Sequence, residues 1–301
     1  MQVQHRTGID YLEAVTALLQ RIRSAHPTKG LYEAAELQWW WSVPRRSDSL
    51  GQLFWFDDEG RPEAAAVMID FTDGSSAVYD EATFCPLFMP DARPEQVAHV
   101  VERGLALASE YGFASVELEV DRSDDVMRDV LTGHGFTIKE EAVLVEAWMS
   151  AGARSEISPL HDDYRLASRA ETMKRAHHMG ERNSAFVEER LFQTSLYRPD
   201  LDLLILDSRD NCAAYGLFWY DPEIATGVVE PMRTKDEHQR RGLARHILTA
   251  GVDRLAEAGA ERISIGYEPD NPASGHLYRS VGFEGVKQTD LFSGRAIARA
   301  S

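Results

Sequence analysis

Apolar positions along this chain recur with two periods, and the two periods alternate in the same order twice. Spacings of three and four residues predict helices at 10–24, 32–41 and 94–111, and again at 169–179, 184–196 and 242–258. Short apolar runs between Asp and Gly turns predict strands at 53–56, 64–71 and 76–84, and again at 202–206, 213–220 and 225–234. Each half therefore predicts helices, then an antiparallel meander of strands, then one long helix.

Two segments at an offset of 147 residues carry the same pattern. Residues 113–136 read FASVELEVDRSDDVMRDVLTGHGF, and residues 260–283 read AERISIGYEPDNPASGHLYRSVGF. Each predicts a strand, an acidic turn, a short helix and a closing Gly-Phe. Gly112 and Gly259 keep the same offset, each just after a long helix. Several matches at one offset indicate an internal duplication.

The boundary between the two copies is predicted in SAGARSEISP, residues 150–159, which is small, polar and ends in proline. We therefore predict two domains, residues 1–150 and residues 151–301. Because each copy runs from an antiparallel meander into a strand, a helix and a final strand, both domains are predicted to be α/β (α+β) units.

The composition narrows the class of protein. Of the 301 residues, 44% are apolar and 27% are charged, which is typical of a globular chain and not of a disordered one. Lys and Arg number 32 against 49 Asp and Glu, so the formal charge is −17. This charge disfavours nucleic acid and anionic membranes as partners. It mildly favours a cationic or amine-bearing small partner, but solubility is the better explanation of the charge.

Targeting and cysteine signals point to the cytoplasm. Cys85 and Cys212 are too few for a disulfide framework, and no CxxC pair is present for zinc or redox chemistry. The N-terminal segment carries charges throughout, unlike a signal peptide, and no run of about 18 apolar residues occurs. We therefore expect a cytoplasmic protein with neither a membrane span nor a metal site.

A candidate anion site lies at the start of the last long helix. Residues 239–244 read QRRGLA and follow a predicted strand. The first N–H groups of a helix lack helical partners, and the helix dipole adds partial positive charge, so such a turn binds anions. Gly242 lets a phosphate approach the backbone closely, and Arg240, Arg241 and Arg245 add positive charge. A helix start with solvated arginines remains the alternative.

Two motifs of the second half resemble the GCN5-related N-acetyltransferase (GNAT) superfamily. QRRGLA matches that family's pyrophosphate loop, (Q/R)-x-x-G-x-(G/A), and the preceding VEPMRT is similar to the family's fourth strand. Residues 271–283, NPASGHLYRSVGF, match its last motif, N-x-x-A-x-x-L-Y-x-x-x-G-F, with every spacing kept and Ser274 in place of alanine. The layout in two halves is similar to that of mycothiol synthase and other tandem acetyltransferases.

The resemblance implies two tandem acyl-CoA N-acyltransferase folds, each a mixed, mostly antiparallel sheet flanked by helices. It also implies acetyl-CoA as the cofactor of the second domain. Backbone groups of the fourth strand would pair with the pantetheine arm, and amides of the loop would hold the pyrophosphate. The cofactor-binding residues so implied are Met232, Arg233, Thr234, Gln239, Arg240, Arg241, Gly242, Leu243, Ala244 and Asn271.

The same resemblance implies direct attack of a free amine on acetyl-CoA. The Tyr278 hydroxyl would donate a proton to the departing thiolate, since a phenol is a neutral donor at pH 7; an ordinary core tyrosine is the alternative. Glu230 is the candidate base, although several relatives place a glutamate two residues earlier, where this chain has Val228. A recognition carboxylate or a surface charge is the alternative for Glu230. His177 and His178 are further candidates for a catalytic role, although such a pair on a helix more often serves partly exposed packing.

In the first half, the residues at all three functional positions are replaced, when the two halves are compared at the offset of 147. The loop glycine is replaced within the sequence PEQV, where Glu95 would repel an anion. Leu131 stands at the proton-donor position, and Asp124 stands at the asparagine position. We therefore predict that domain 1–150 is a degenerate GNAT-like domain without cofactor, and that domain 151–301 binds acetyl-CoA.

Three functions stay open from the sequence. The first is transfer of an acetyl group to a primary amine of a small molecule, and the second is acetylation of a protein or peptide. The third is a non-enzymatic acyl-CoA-binding scaffold, which Tyr278 and Asn271 argue against because a scaffold has no use for a proton donor. We predict the first, in a monomer or homodimer that has no nucleic-acid or membrane partner.

Overall fold

The computed structural model describes residues 2–71 and 81–296. The strands within them are β1 Gln2–Arg6, β2 Gln52–Phe56, β3 Pro62–Ile69, β4 Glu81–Phe88, β5 Ser115–Asp121, β6 Thr137–Ser150, β7 Tyr164–Ser168, β8 Asp202–Asp207, β9 Cys212–Asp221, β10 Thr226–Thr234, β11 Arg262–Tyr267 and β12 Glu284–Arg295. The α-helices are α1 Gly8–Ala25, α2 Ala34–Trp41, α3 Pro94–Glu110, α4 Asp125–Gly133, α5 Arg169–Thr172, α6 Val187–Leu191, α7 Leu243–Ala258 and α8 Pro272–Val281.

These elements group into two compact units. The N-terminal unit comprises residues 1–37, 44–143 and 287–301, and the C-terminal unit comprises residues 38–43 and 144–286. Mixed, mostly antiparallel sheets flanked by helices confirm the predicted α/β fold class. Within the described ranges, none of the helices combines the length and the apolar character that a membrane span requires.

In the N-terminal unit the strands lie in the order β1-β2-β3-β4-β5-β12. Neighbouring strands are antiparallel except β4 and β5, which run parallel. The Phe84 ring packs against α3 at Gly104, where a Cβ would lie 2.4 Å from the ring. Because side chains alternate along a strand, Cys85 and Leu87 face the opposite side of the sheet.

In the C-terminal unit the strands lie in the order β6-β11-β10-β9-β8-β7, and β10 and β11 are the parallel pair. The Phe218 ring of β9 packs against α7 at Gly251, where a Cβ would lie 2.0 Å from the ring. Only glycine admits the ring at that distance. Tyr215, Leu217 and Trp219 therefore face the other side of the sheet.

The last strand of each unit comes from the other half of the chain. β12 pairs with β5 along residues 289–295, and β6 pairs with β11 along residues 145–150. The observed units are therefore not contiguous, unlike the predicted domains divided at residue 150. Chain order did not reveal this, because a strand pairs with whichever edge lies beside it in space.

The helices predicted at 169–179 and 184–196 are shorter in the structure, where α5 and α6 have only four and five residues. For the first of the two helices, the buried Arg169 guanidinium is the physical reason. Its Nη1 donates to the Thr172 carbonyl at 2.6 Å, and its Nη2 donates to the Arg175 carbonyl at 2.9 Å. Those carbonyls would otherwise accept bonds within a continuing helix.

Two strands, β1 and β7, are additional to those predicted from the apolar pattern. Of the strand predicted at 76–84, residues 76–80 lie outside the described residues, and β4 begins at Glu81.

Candidate active site

Two parallel strands of the C-terminal unit separate where β10 changes register. β10 pairs with β11 along residues 226–229 and with β9 on its other side. The β9 register shifts between Val229 and Met232, and from Met232 to Thr234 β10 pairs with β9 alone among the described strands. The other edge of Met232, Arg233 and Thr234 is therefore open, so an extended polar ligand can add there as a strand would.

Pro231 explains the irregularity of β10, because proline has no N–H for the sheet. The Glu230–Pro231 peptide bond is cis. The Glu230 carbonyl accepts a hydrogen bond from Nε1 of the fully buried Trp219 at 2.7 Å. Nearby, the buried Thr234 hydroxyl has no hydrogen-bond partner within the described part of the chain. An unsatisfied hydroxyl beside an open strand edge fits a polar ligand at this place.

The loop before α7 has the backbone of an anion site. Gly242 is the N-cap at φ +78°, a left-handed conformation that favours glycine, and a Cβ there would meet nothing within 4 Å. Arg240 is also left-handed, at φ 59°, and Gln239 is exposed at the start of the loop. No side chain of the described residues caps the helix, so the N–H groups of Leu243 and Ala244 lack helical partners and can hold a phosphate.

The arginines around this loop have different surroundings. Arg241 Nη1 donates to Tyr164 Oη at 3.0 Å and so fastens the loop to β7. Arg245 Nη1 donates to Ser280 Oγ at 2.6 Å. Arg240 is exposed, and its side chain forms no hydrogen bond or ion pair with any described residue. Its guanidinium group can therefore turn towards a bound anion, and the charges of Arg241 and Arg245, whose partners named above are neutral hydroxyl groups, add to the positive field of the loop.

Helix α8 carries Tyr278, whose side chain is buried. Its ring packs edge-on against Tyr267 and Phe283, with ring centroids 5.7 and 6.3 Å apart. Burial is the main cause that raises the pKa of Tyr278 to about 12; a hydrogen bond with Ser274 opposes it, and the Glu230 charge adds to it. Tyr278 is therefore protonated at neutral pH and can act as a proton donor.

Glu230 lies in the irregular part of β10 and is half-buried. Burial raises the pKa of Glu230 to about 7. Because the Glu230 charge acts on the pKa of Tyr278, the two predicted catalytic side chains lie within electrostatic reach of each other. A carboxyl group with a pKa near 7 can accept and release a proton at neutral pH. Val228, two residues earlier, belongs to the core.

Asn271 has a structural role that the sequence did not single out. Its side chain caps α8 by accepting a bond from the Ser274 N–H at 3.3 Å. Asp124, its counterpart at the offset of 147, caps α4 through the Met127 N–H at 3.0 Å. Helix capping therefore accounts for both positions, and a contact between Asn271 and a cofactor stays a prediction.

His177 and His178 belong to a buried polar group whose other members sequence reasoning missed. The two oxygens of Asp202 lie 3.1 Å from Nε2 of His177 and of His178, and Tyr197 Oη donates to Asp202 Oδ2 at 2.9 Å. The imidazoles hold the pKa of Asp202 well below its usual value, against the effect of burial.

This polar group has the residue types of a metal site, but its hydrogen bonds oppose that role. The Met179 N–H donates to His177 Nδ1 at 3.3 Å. His177 therefore carries its proton on Nε2, which leaves no lone pair there for a metal. The group is better explained as an internal network around Asp202. Only the His-His dipeptide was visible in the sequence, because Asp202 lies on a separate strand.

The N-terminal unit differs at the matching positions. Leu131 is fully buried in the core of that unit. The start of α3 carries Glu95, and Gln96 Oε1 accepts a bond from the Arg93 N–H at 2.9 Å. This helix end is therefore acidic, and Pro94 at its first turn has no N–H to offer, so it disfavours a phosphate.

Comparisons with known proteins agree with this geometry. Residues 164–283 match the sequence model of the Acetyltransferase (GNAT) family. A search of curated proteins gave no match. Among solved structures, a tandem GNAT protein from the clavulanic acid biosynthesis pathway is 12% identical, with a TM-score of 0.70 over 99% of both chains.

Two further structures share the fold. A GCN5-related N-acetyltransferase from Sphaerobacter thermophilus is 14% identical, with a TM-score of 0.61 over 98% of this chain and 95% of that one. A GNAT-family acetyltransferase from Colwellia psychrerythraea is 9% identical, with a TM-score of 0.57 over 97% and 99% of the two chains. The matched family segment contains the open strand edge, the glycine loop and Tyr278. Residues 164–283 therefore match the GNAT family, and the chain as a whole shares its fold with a tandem GNAT protein.

Proposed function

We propose that this chain transfers the acetyl group of acetyl-CoA to a primary amine of a small molecule, and that the C-terminal unit carries this activity. The observation that supports the proposal most is the pairing of Glu230, with a pKa of about 7, and Tyr278, with a pKa of about 12. One of the two side chains can take up a proton at neutral pH, and the other can give one away.

Three features of the C-terminal unit fit acetyl-CoA. The uncapped start of α7 at Gly242 suits a pyrophosphate. The open edge of β10 at Met232 and Thr234 suits the amide groups of a pantetheine arm. The exposed Arg240 adds a positive charge beside the loop. When bound, acetyl-CoA would supply the thioester carbonyl that the amine attacks.

Glu230 and Tyr278 would handle the protons of this exchange. Glu230 accepts a proton from the amine as the new C–N bond forms, and Tyr278 gives its proton to the sulfur as the C–S bond breaks. One proton is taken up and one is released, so a single transfer from Glu230 through water to Tyr278 restores both side chains. No metal or covalent enzyme intermediate enters this scheme.

Tyr278→Phe tests the proton-donor role. The substitution should lower kcat about a hundredfold or more, while titration calorimetry should show one acetyl-CoA site per chain with nearly unchanged affinity. Turnover is measured as free thiol released from acetyl-CoA with a panel of primary amines. Tyr220→Phe is the matched control, because Tyr220 lies on β9 beside Gly259, at the far end of α7.

Three outcomes would contradict the proposal. Thiol release that does not depend on an added amine would mean that no amine is the acceptor. Equal kcat values for Tyr278→Phe and Tyr220→Phe would show that Tyr278 is not the proton donor. If acetyl-CoA does not bind at all, the chain is not an acetyl-CoA-dependent transferase.

A further inference from the structure

A cavity of about 550 Å³ lies inside the N-terminal unit. It forms because β4 and β5 pair only along residues 81–83 and 115–117 within the described part of the unit. Beyond that pairing, residues 86–88 and 119–121 line the cavity, together with α1 and the start of α4. Cavities of about 300–1,000 Å³ are usual for small-molecule sites.

Buried apolar side chains form a large part of the lining. Leu19 and Ile22 come from α1, Leu87 from β4, Val120 from β5 and Met127 from α4. All five are buried. Such a surface favours a ligand with an apolar body, since burying apolar area is the main source of binding free energy.

The charged groups of the lining are predominantly acidic. The four carboxylates and two ammonium groups are Glu119, Asp121, Asp124, Asp125, Lys29 and Lys287. Each ammonium group already donates to a main-chain carbonyl: Lys29 to Pro90 at 2.9 Å and Lys287 to Gly30 at 2.6 Å. The cavity therefore has more negative than positive charge to offer a ligand.

Glu119 retains bonding capacity. Thr289 Oγ1 donates to its Oε2 at 2.9 Å, whereas Oε1 has no hydrogen bond with any described residue. Burial raises the pKa of this carboxyl, as expected for an acidic group with few donors around it. Asp125, at the start of α4, is exposed and forms no ion pair with the described residues. Both carboxylates can still bind a cation.

The surroundings of the cavity oppose an anionic ligand. The start of α3 corresponds in sequence offset to the glycine loop of the other unit, and it carries Glu95 and Pro94. A second cavity beside it, of about 290 Å³, is lined by Glu63, Asp91 and Glu95. A pyrophosphate here would face these carboxylates.

We propose that the cavity of the N-terminal unit binds a small amphiphilic organic cation, whose charged head contacts Glu119 and whose apolar body lies against α1, Leu87 and Val120. This site is separate from the proposed acetyl-transfer site and does not depend on that activity. The N-terminal unit, which has Glu95 where the C-terminal unit has Gly242, thus has a cleft that suits a positively charged ligand better than an anionic one.

Hexyltrimethylammonium is the probe, because it has a charged head, a six-carbon chain and no N–H that could be acetylated. Titration calorimetry on the full chain should show one site for this probe and much weaker binding of hexan-1-ol and hexanoate. Glu119→Gln keeps the acceptor for Thr289 but removes the charge, so it should weaken binding about ten- to a hundredfold. Val126→Trp, at an exposed lining position on α4, should abolish binding by filling the cavity.

Glu140→Gln, an exposed acid on β6, and Glu230→Gln are the controls, and both should leave probe binding unchanged. Binding that Glu230→Gln removes would place the cation in the C-terminal unit and overturn the proposal. Equal affinities for the cation and hexan-1-ol would overturn it too. So would a second acetyl-CoA site that Val126→Trp removes. Thermal unfolding of Val126→Trp checks that the fold is intact, and these outcomes remain separate from any failure of acetyl transfer.

Discussion

Burial gives the two candidate catalytic side chains opposite protonation states. Burial raises the pKa of Glu230 to about 7, and it is the main cause that raises the pKa of Tyr278 to about 12. Near pH 7.5, Glu230 is mostly a base and Tyr278 remains an acid. Ionisation of either side chain also disfavours ionisation of the other, because the Glu230 charge raises the pKa of Tyr278. The pair therefore suits a reaction that removes one proton while it delivers another.

The pH dependence of turnover tests Glu230 as the base. Below pH 7 the carboxyl is protonated and cannot accept a proton, so kcat/KM should rise as the pH passes about 7. Glu230→Gln should lower kcat and remove that rise, measured over roughly two pH units on either side of 7. Glu223→Gln, an exposed glutamate between β9 and β10, should keep the wild-type profile.

Stability separates a catalytic effect from misfolding. The folded-state pKa of Glu230 is raised above its ordinary 4.5, so ionisation of this group opposes folding. Its contribution to stability is greatest below about pH 4.5 and is lost as the pH rises through about 7. Glu230→Gln should therefore be at least as stable as the wild type above pH 7. If its pH–rate profile matches the wild type, the base is another group.

At the scale of elements, two interruptions of regular structure expose backbone groups in the C-terminal unit. Pro231 interrupts β10, and the strand edge beyond it is unpaired on one side within the described strands. Gly242 starts α7 without a side-chain cap. Both interruptions follow the stretch where β10 still pairs with β11, so strand edge and helix start can serve one extended ligand.

Gly242→Ala tests the helix start. A left-handed alanine costs about 1–2 kcal/mol, and its Cβ would occupy the empty space where a phosphate approaches the backbone. The Kd for acetyl-CoA should rise about ten- to a hundredfold, measured by titration calorimetry.

Gly60→Ala is a closely matched control for that substitution. Gly60 has φ +75° against +78° for Gly242, and a Cβ at either position meets nothing within 4 Å. The two variants should therefore lose similar stability, but only Gly242→Ala should weaken acetyl-CoA binding. If Gly242→Ala and Gly60→Ala bind acetyl-CoA with equal affinity, the anion site does not lie at Gly242.

For the whole molecule, each unit is completed by a strand from the other half of the sequence: β12 pairs with β5, and β6 pairs with β11. Phe292 of β12 is buried in the core of the N-terminal unit. Asp290 of the same strand forms an ion pair with Arg128, with 2.9 Å between Asp290 Oδ2 and Arg128 Nη1. The N-terminal core is therefore incomplete without residues at the end of the chain.

Phe292→Ala should lower the free energy of unfolding by about 3–5 kcal/mol, as expected when a large aromatic side chain is removed from a core. Hydrogen exchange should show the loss of protection in the N-terminal unit. Val286→Ala, on the same strand but 49% exposed, should cost no more than about 0.5 kcal/mol. If Phe292→Ala lowers the free energy of unfolding as little as Val286→Ala does, β12 is not part of that core.

The sequence by itself determined the features that depend on neighbouring residues. QRRGLA marks the start of α7 because Gly242 takes a left-handed backbone that other residues adopt only at a cost. The spacing of residues 271–283 places Tyr278 on a short helix after a capping Asn271. The internal offset of 147 also identified two similar units, because each copy carries its own strand, turn and helix signals.

Only the tertiary structure decided the features that need residues far apart in the chain. Arg169 shortens the helix predicted at 169–179 by binding the carbonyls of the turns around it. The carboxylate of Asp202 contacts two histidines, His177 and His178, that lie in another segment of the chain. The pKa of Glu230 depends on burial by surrounding elements, and the exchanged strands depend on which sheet edge lies nearest in space. Local pattern cannot encode these, because burial and pairing are properties of the packed molecule.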